Sequence, residues 1–335
     1  MAEDWDAIAG WLAARGHRLA GPGERLAGGL ANLNYRVVVD GRDAVLRRPP
    51  GGVLAAGASD MGREARVLRA LAPVLPLVPR LLVFCDDAGV IGVPWQLIEW
   101  RPGVAVGGSL PPGFAATDGG WMTDALLEAM VGLHALAPEA VGLGALGRPG
   151  FKARTLAGWA RRAEAAFGDA RPAGLDGLLA RLAAEVPDDA PPRLLHMDLK
   201  FDNLLLDPGA RCATALIDWD MGTLGPPGFD LAVLLSYWAM PGDPVDVHAL
   251  GAVPSLTPGW PTRAAVIAGY AARAGGVPDH LGWLLALARL RLGVAWMQLY
   301  RLWQRGDLAG DRYAGFERQA GAVIAHAADV YGETA

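Results

Sequence analysis

Apolar and polar residues alternate over much of the first hundred residues, a pattern typical of half-buried β-strands. Two such runs, in "YRVVVDGRDAVLRRP", flank Asp40 and Gly41, and an Asp-Gly pair between strands predicts a tight hairpin. "SDMGREARVLRALAP" has a Ser-Asp start, apolar residues at helical spacing and a proline stop, so it predicts a helix. "RLLVFCDD" and "VPWQLIEW" predict two further strands.

The pattern changes after residue 100. Residues 101–120 are rich in glycine and proline, which predicts a loop or domain boundary, and helical periodicity dominates from Met122 onward. One exception is "RLLHMDLKFDNLLLDPGARCATALIDWD", where two short apolar runs flank an Asp-Pro-Gly turn. We therefore expect a strand-rich domain over residues 1–100 and a mainly helical domain over residues 101–335 that carries one embedded hairpin.

Composition and charge narrow the partners. The chain has 335 residues, 52% of them hydrophobic, and a net charge of −5, which argues against a dedicated nucleic-acid binder and favours small molecules. The amino terminus lacks the basic start and apolar block of a signal peptide. The longest apolar stretch is interrupted by Arg289 and Arg291, which disfavours a membrane span. We expect a cytoplasmic protein with no membrane or nucleic-acid partner; the sequence leaves the oligomeric state open.

Polar residues that suit phosphoryl transfer surround the predicted hairpin. Asp198 and Asn203 precede its first strand, and Asp218 follows its second strand. Phosphoryl transfer needs a carboxylate to orient and deprotonate an attacking hydroxyl, together with oxygen ligands for magnesium. The pattern predicts Asp198 as the catalytic carboxylate and Asn203 and Asp218 as metal ligands that complete the catalytic set. Taken singly, a His-x-Asp beside a strand is more often an ordinary polar network than a site.

The order His-x-Asp-x-x-x-x-Asn, followed by an Asp after the next strand, resembles the catalytic loop and metal-binding Asp of protein kinases. At the position of that metal-binding Asp, the segment "LIDWD" is more similar to the aminoglycoside phosphotransferase-like family than to protein kinases. The resemblance implies an α+β, bilobal, protein-kinase-like fold, with a small β-rich N-lobe and a large mainly helical C-lobe. It also implies ATP and Mg2+ as cofactors and a small-molecule hydroxyl as acceptor.

Upstream segments fit the same resemblance. "LAGGLANLNY" stands where the family has its phosphate-covering loop, with Gly28, Gly29 and Asn32 at the Gly-Gly-x-x-Asn positions. Arg47 stands where kinases have a phosphate-binding lysine; Arg48 is an alternative, and a charged strand end facing solvent would explain either arginine. Glu64 on the following helix would orient that cation.

The resemblance also assigns the hinge and the rest of the catalytic loop. "QLIEWRPG" matches the segment between lobes, where main-chain groups near Glu99 and Trp100 would receive the nucleotide base. Lys200 has the spacing of the kinase lysine that neutralises the transferring phosphoryl group, although simple solvent exposure is the competing interpretation. Asp230 is expected to support the catalytic loop from a helix start, and His196 to act as a scaffold residue.

The acceptor is the least determined feature. Segments such as "FCDDAGVIGVPWQLIEW" are similar to bacterial phosphotransferases related to the kinase domain fused to acyl-CoA dehydrogenases, which implies a hydroxyacyl-CoA or a related metabolite as acceptor. An aminoglycoside or antibiotic kinase and a non-catalytic nucleotide-binding protein are the alternatives. Four arginines stand among tryptophans and leucines near the carboxyl terminus, and they would suit an anionic or apolar acceptor if they face the cleft, or a solvated helix face if they do not: Arg289, Arg291, Arg301 and Arg305.

Overall fold

A five-stranded antiparallel sheet occupies the amino-terminal part of the chain. The computed structural model describes residues 4–26, 32–50, 60–248, 252–308 and 310–333. Its strands are β1 (Glu24–Arg25), β2 (Leu33–Val39), β3 (Arg42–Arg48), β4 (Leu81–Cys85) and β5 (Trp95–Glu99). They lie side by side in the order β1-β2-β3-β5-β4.

The hairpin between β2 and β3 forms as the sequence predicts. Asp40 and Gly41 both have positive φ, 53° and 76°, which is the backbone of a type I′ turn whose twist matches that of the flanking strands. The predicted helix also forms, as α2 (Met61–Leu71), and the Asp60 side chain caps it by accepting from the Arg63 N–H.

An amino-terminal helix, α1 (Trp5–Ala13), packs against the sheet rather than over a cleft. Its Ile8 and Leu12 are fully buried in the core of the sheet domain. Trp11 meets Trp95 of β5 edge to face at 5.1 Å, a favoured aromatic geometry. The helix therefore stabilises the sheet from behind.

The rest of the chain is mainly helical. Its helices in the described ranges are α3 (Gly119–His134), α4 (Phe151–Phe167), α5 (Leu175–Ala184), α6 (Gly228–Tyr237), α7 (Val245–His248), α8 (Arg263–Ala274), α9 (Leu281–Gln304) and α10 (Phe316–Glu333). No helix in these ranges combines the length and apolarity that a membrane crossing requires. The sheet followed by helices agrees with the predicted α+β class.

Two small sheets, rather than the single hairpin expected from sequence, lie among these helices. The predicted hairpin is present as β7 (Leu204–Asp207) and β8 (Cys212–Leu216). A second antiparallel pair, β6 (Arg193–Leu195) with β9 (Thr223–Gly225), was missed by the sequence analysis. Each of its strands has three residues, too few to show an alternation. The pair matters because it brackets the polar segment before β7 and the segment after β8.

Helices α9 and α10 pack closely at Gly293. A Cβ at this position would lie 2.7 Å from Ile324 Cγ1 and 3.0 Å from the Ala320 carbonyl oxygen, so either the helices or the side chain would have to move. At Gly282, near the start of the same helix, a Cβ would have nothing within 4 Å. The absence of a side chain at Gly293 therefore sets the distance between the two helices.

We expect Gly293→Ala to lower the free energy of unfolding by about 1–3 kcal/mol, the usual cost of overpacking. Gly282→Ala, the matched control in the same helix, should raise it by about 0.5–1 kcal/mol because alanine loses less backbone entropy. Urea unfolding followed by circular dichroism measures both. A Gly293→Ala protein as stable as the wild type would show that α9 and α10 are not in tight contact there.

Candidate active site

The backbone of the segment between β6 and β7, here called the catalytic loop (residues 196–203), is held by Asp230 at the start of α6. The two carboxylate oxygens of Asp230 accept from the N–H groups of His196 and Met197, each at 2.8 Å. Met197 has φ of 73°, an uncommon value for a side chain of its size. The fully buried Asp230 satisfies both N–H groups and stabilises this turn.

Burial alone would raise the pKa of Asp230, but the hydrogen bonds that it accepts from the His134 ring and from the His196 N–H outweigh burial and lower the pKa. His134 Nε2 lies 3.2 Å from Asp230 Oδ2, and its Nδ1 lies 3.1 Å from the Tyr270 hydroxyl. His134 thus belongs to the network that supports the loop, a role that its helical position did not reveal.

His196 links the two ends of the β7–β8 hairpin. Its Nε2 lies 2.9 Å from the Ile217 carbonyl oxygen, so Nε2 must carry the hydrogen, and its Nδ1 then accepts from the Asp198 N–H at 3.3 Å. Burial lowers the pKa of His196, in keeping with a neutral ring. These contacts match the expected scaffold role.

The Asp198 carboxylate is oriented by two neighbours on the same loop. Lys200 Nζ donates to Asp198 Oδ2 at 2.6 Å, and Asn203 Nδ2 donates to the same oxygen at 2.9 Å and to the Asp198 carbonyl at 2.7 Å. The Asp198 side chain keeps 23% of its surface exposed, whereas Asn203 is buried. The carboxylate is therefore fixed in direction yet reachable from solvent.

Lys200 is buried, so the solvent-exposed interpretation is wrong. Its ammonium also pairs with Asp202 at 3.0 Å and lies 5.4 Å from the centroid of the Tyr237 ring. Burial by itself would lower the pKa of Lys200, but the Asp198 and Asp202 carboxylates and Tyr237 raise it. A permanent positive charge thus lies beside Asp198.

Asp218 is joined to the catalytic loop through its neighbour in sequence. The Ile217 N–H donates to the Asn203 carbonyl oxygen at 2.9 Å, and the Ile217 carbonyl accepts from His196. Asp218 itself has φ of 69°, a strained backbone that is often found at functional sites. These bonds bring Asp218 next to Asn203, as the sequence predicts.

Arg47 of β3 is the buried cation that joins the sheet to this loop. Its Nε donates to Glu64 Oε2 at 2.8 Å, its Nη1 to Asn34 Oδ1 at 3.3 Å, and its Nη2 to Asp218 Oδ1. Burial opposes the charged guanidinium, but Glu64, Asp218 and Asp220 outweigh it and raise the pKa of Arg47. The same guanidinium holds the pKa of Asp218 below its ordinary value, although burial acts in the opposite direction.

Glu64 of α2 lies at the centre of the same network. Its Oε2 also accepts from Gln96 Nε2 at 2.8 Å, and its Oε1 accepts from the Trp219 N–H at 3.2 Å. Arg48, the alternative to Arg47, instead donates to the Pro49 carbonyl at 2.9 Å. Among the two arginines, the described contacts therefore pair Arg47 with Glu64.

Asp220 completes the carboxylate group around Arg47, and the sequence analysis gave it no role. It lies 3.9 Å from Arg47 Nη2, and it accepts from Asn32 Nδ2 at 3.0 Å. Burial and repulsion by Asp218 raise the pKa of Asp220 to about 7. The Asp-x-Asp spacing was the available signal. Gly28 and Gly29 lie outside the described residues.

The hinge residues lie at the end of β5. The Glu99 carboxylate accepts from the Arg80 N–H at 3.1 Å, and the Arg36 guanidinium stacks over the Trp100 ring at 4.8 Å. The Glu99 N–H donates to the Arg80 carbonyl oxygen at 2.8 Å. Both side chains thus make contacts within the sheet domain, in keeping with a segment whose main chain would serve a ligand.

A cavity of about 340 Å³ opens beside Tyr237, and we call it the Tyr237 pocket. Its described lining residues are Gly108, Ser109, Leu110, Tyr237, Ala239, His248, Val253, Pro254, Leu256 and Thr257. None of these side chains is acidic. The sequence analysis did not identify this pocket because its walls come from the loop after the hinge, the end of α6 and the segment after α7.

The four arginines near the carboxyl terminus differ in exposure. Arg289 and Arg291, both on α9, are buried. Arg301 is half-buried and Arg305 is exposed. A solvated helix face therefore explains Arg305 and does not explain the first two.

The chain is similar in sequence to a known protein family. The sequence model of the phosphotransferase enzyme family matches residues 22–266. Acyl-CoA dehydrogenase family member 11 of Rattus norvegicus is 29% identical over 272 residues, 80% of this chain and 35% of that protein. The chain spans about a third of this relative, and 20% of acyl-CoA dehydrogenase family member 10 of Mus musculus, to which it is 30% identical over 219 residues.

Solved structures share the fold. A candidate aminoglycoside phosphotransferase of Ralstonia eutropha is 22% identical, covers 99% of both chains and has a TM-score of 0.79. A thermostable mutant of the aminoglycoside phosphotransferase APH(4)-Ia is 16% identical, with a TM-score of 0.56, and the match covers 98% of this chain and 100% of that one. These likenesses confirm the predicted bilobal, protein-kinase-like fold. The chain therefore belongs to the phosphotransferase enzyme family.

Proposed function

We propose that this protein transfers the γ-phosphoryl group of ATP to a hydroxyl group of a small molecule. The observation that carries the proposal is the fixed position of Asp198, whose carboxylate is held by Lys200 and Asn203 while 23% of the side chain stays exposed. A carboxylate that is oriented and reachable is what a hydroxyl nucleophile requires.

The residues present fit a magnesium ion. Asn203 Nδ2 is committed to Asp198, so Oδ1 is the amide atom available to a metal. Asp218 uses Oδ1 toward Arg47 and has no hydrogen-bond partner on Oδ2 among the described residues. Magnesium is usually held by one or two such oxygens together with substrate phosphates and water. When bound, it would neutralise charge on the phosphate oxygens.

Asp198 would orient the acceptor hydroxyl toward the γ-phosphorus. The acceptor oxygen forms a bond to phosphorus as the bond from phosphorus to the β,γ-bridging oxygen breaks, which leaves ADP. The hydroxyl proton passes to the Asp198 carboxylate late, because a loose transition state demands little activation of the nucleophile. Lys200, at 2.6 Å from Asp198, would offset negative charge that gathers on the transferring oxygens.

The sheet domain would hold the rest of the nucleotide. Arg47 is fixed by Glu64 and would face the phosphates beside Asp218, while main-chain groups after Glu99 would receive the base. The family's solved structures support nucleotide use: a mutant of APH(4)-Ia was solved as a ternary complex with AMP-PNP and hygromycin B. ATP with magnesium is thus the donor we propose.

For the acceptor we propose a metabolite, such as a hydroxyacyl-CoA, rather than an aminoglycoside. The acyl-CoA dehydrogenase relatives support a metabolic acceptor. Aminoglycosides are polycations and need acidic pockets, whereas the described lining of the Tyr237 pocket has no acidic side chain. A protein that only binds nucleotide would have no chemical need for the oriented Asp198.

Asp198→Asn should retain ATP binding while lowering acceptor-dependent turnover by a factor on the order of 10² or more, because a positioned base is lost. Turnover is measured as magnesium-dependent ADP release with pooled hydroxyl acceptors that include short hydroxyacyl-CoAs, sugars and aminoglycosides. Asp202→Asn is the matched control. Asp202 pairs with the same Lys200 at 3.0 Å, and its substitution leaves the Asp198 carboxylate present. Equal turnover in Asp198→Asn and wild type would remove Asp198 from this role.

Asp218→Ala should weaken the affinity for ATP measured with magnesium and leave the affinity without magnesium nearly unchanged. The expected cause is the loss of a metal ligand. Asp124→Ala, which removes an exposed carboxylate paired with Arg273 on the helical surface, is the control and should behave as wild type. Calorimetric titration in magnesium and in chelator measures both. The metal assignment fails if wild type and Asp218→Ala show the same magnesium dependence.

A further inference from the structure

We propose that Arg291 of α9 binds an anionic group, a carboxylate or a phosphate, on the acceptor molecule. The inference rests on the proposed phosphoryl transfer and narrows its acceptor to a hydroxy compound with a negative charge and an apolar body. Arg291 then serves as a specificity-determining residue beside the catalytic loop.

The first observation is that Arg291 lacks a counter-charge. It is only 9% exposed, yet no carboxylate of the described residues lies within ion-pairing distance of its guanidinium. Among the described residues, its one hydrogen bond runs from Nη2 to Met221 Sδ at 3.5 Å, and a thioether is a weak acceptor. A buried cation is stable when it is paired, so an arginine in this state is suited to an incoming anion.

The second observation is the position of Arg291 beside the reacting groups. Met221, which it contacts, follows Asp218 by three residues and is 37% exposed. Tyr237 links this part of α9 to the catalytic loop. It packs against the apolar cluster that contains Leu292, the residue after Arg291, and its ring centroid lies 5.4 Å from Lys200 Nζ. Tyr237 is therefore close to Lys200 and to the turn of α9 that carries Arg291.

The third observation is the character of the Tyr237 pocket. Tyr237 forms part of its wall, the other described lining residues are mostly apolar, and Ser109, His248 and Thr257 add neutral polar atoms. No carboxylate of the described lining would repel an anion or compete for Arg291. An acceptor whose apolar body fills this pocket could present a hydroxyl to Asp198 and an anionic group to Arg291.

The kinetic test uses acceptor pairs in which one member carries an anionic group and the other is neutral. β-Hydroxybutyrate against β-hydroxybutyramide tests a carboxylate, and glycerol phosphate against glycerol tests a phosphate. We expect kcat/KM of the wild type to favour the anionic member of at least one pair by about 10- to 100-fold, the usual effect of one charge-assisted pair. In Arg291→Gln, kcat/KM should fall for the anionic member and stay unchanged for the neutral member. The fall should come more from a higher KM than from a lower kcat.

Arg289→Gln is the matched control. Arg289 is also buried on the same helix and loses the same charge, but among the described residues it makes no hydrogen bond to Met221. It should keep the wild-type preference. A wild type that uses the neutral member equally well, or an Arg291→Gln protein that keeps the preference, would overturn the proposal.

A binding measurement separates this inference from the proposed function. Calorimetric titration of the same four compounds into Asp198→Asn protein loaded with AMP-PNP needs no turnover. If an anionic compound binds to this protein, and adding Arg291→Gln to it abolishes the binding, the anion site is supported even without phosphoryl transfer. Transfer to hydroxyl compounds without charge preference would keep the kinase and reject the anion site. Absence of binding in both titrations of an anionic compound would also reject it.

Discussion

The buried guanidinium of Arg47 is the contact on which the site depends. It donates to Glu64 on α2, to Asn34 on β2 and to Asp218 after β8, so one side chain joins the sheet, the helix packed on it and the segment after β8. Its burial at 5% exposure makes the arrangement demanding, because a buried charge without a partner is strongly unfavourable. Loss of either carboxylate partner of such a pair typically costs about 3–5 kcal/mol.

A second constraint holds the catalytic loop from the helical side. Asp230 satisfies two loop N–H groups, and His196 ties the loop to Ile217 beside Asp218. Both ring nitrogens of His196 are used in hydrogen bonds, to the Ile217 carbonyl oxygen and the Asp198 N–H, so its ring holds the backbone of Asp198. The loop is thus fixed before any ligand arrives, which lowers the entropic cost of reaching the transition state.

Much of this was predictable from the sequence because the relevant signals are local. The Asp-Gly hairpin, the capped helix α2 and the spacing of Asp198, Asn203 and Asp218 can each be read from a short segment. The β6–β9 pair was not predictable, since three-residue strands show no periodicity. The domain boundary at residue 100 stays a prediction.

The missed site residues depend on tertiary contacts. Asp220 and Tyr237 contact neighbours that are far away in sequence; only the Asp-x-Asp spacing marks Asp220, and nothing local marks Tyr237. Arg291 was named from the sequence, with a solvated helix face as the alternative. Burial of Arg291 could not be inferred either, because a charged residue on a long helix usually faces solvent. In the proposed function the acceptor is selected by such residues, so the sequence indicates the proposed chemistry better than the substrate.

The most direct test of the account follows the phosphoryl group itself. ATP labelled in its γ-phosphate is incubated with magnesium, the protein and the acceptor pool, and the products are separated. The account predicts that the label appears in a small-molecule phosphate ester in equal amount to the ADP formed. Label found only in inorganic phosphate, or attached to protein, would contradict it.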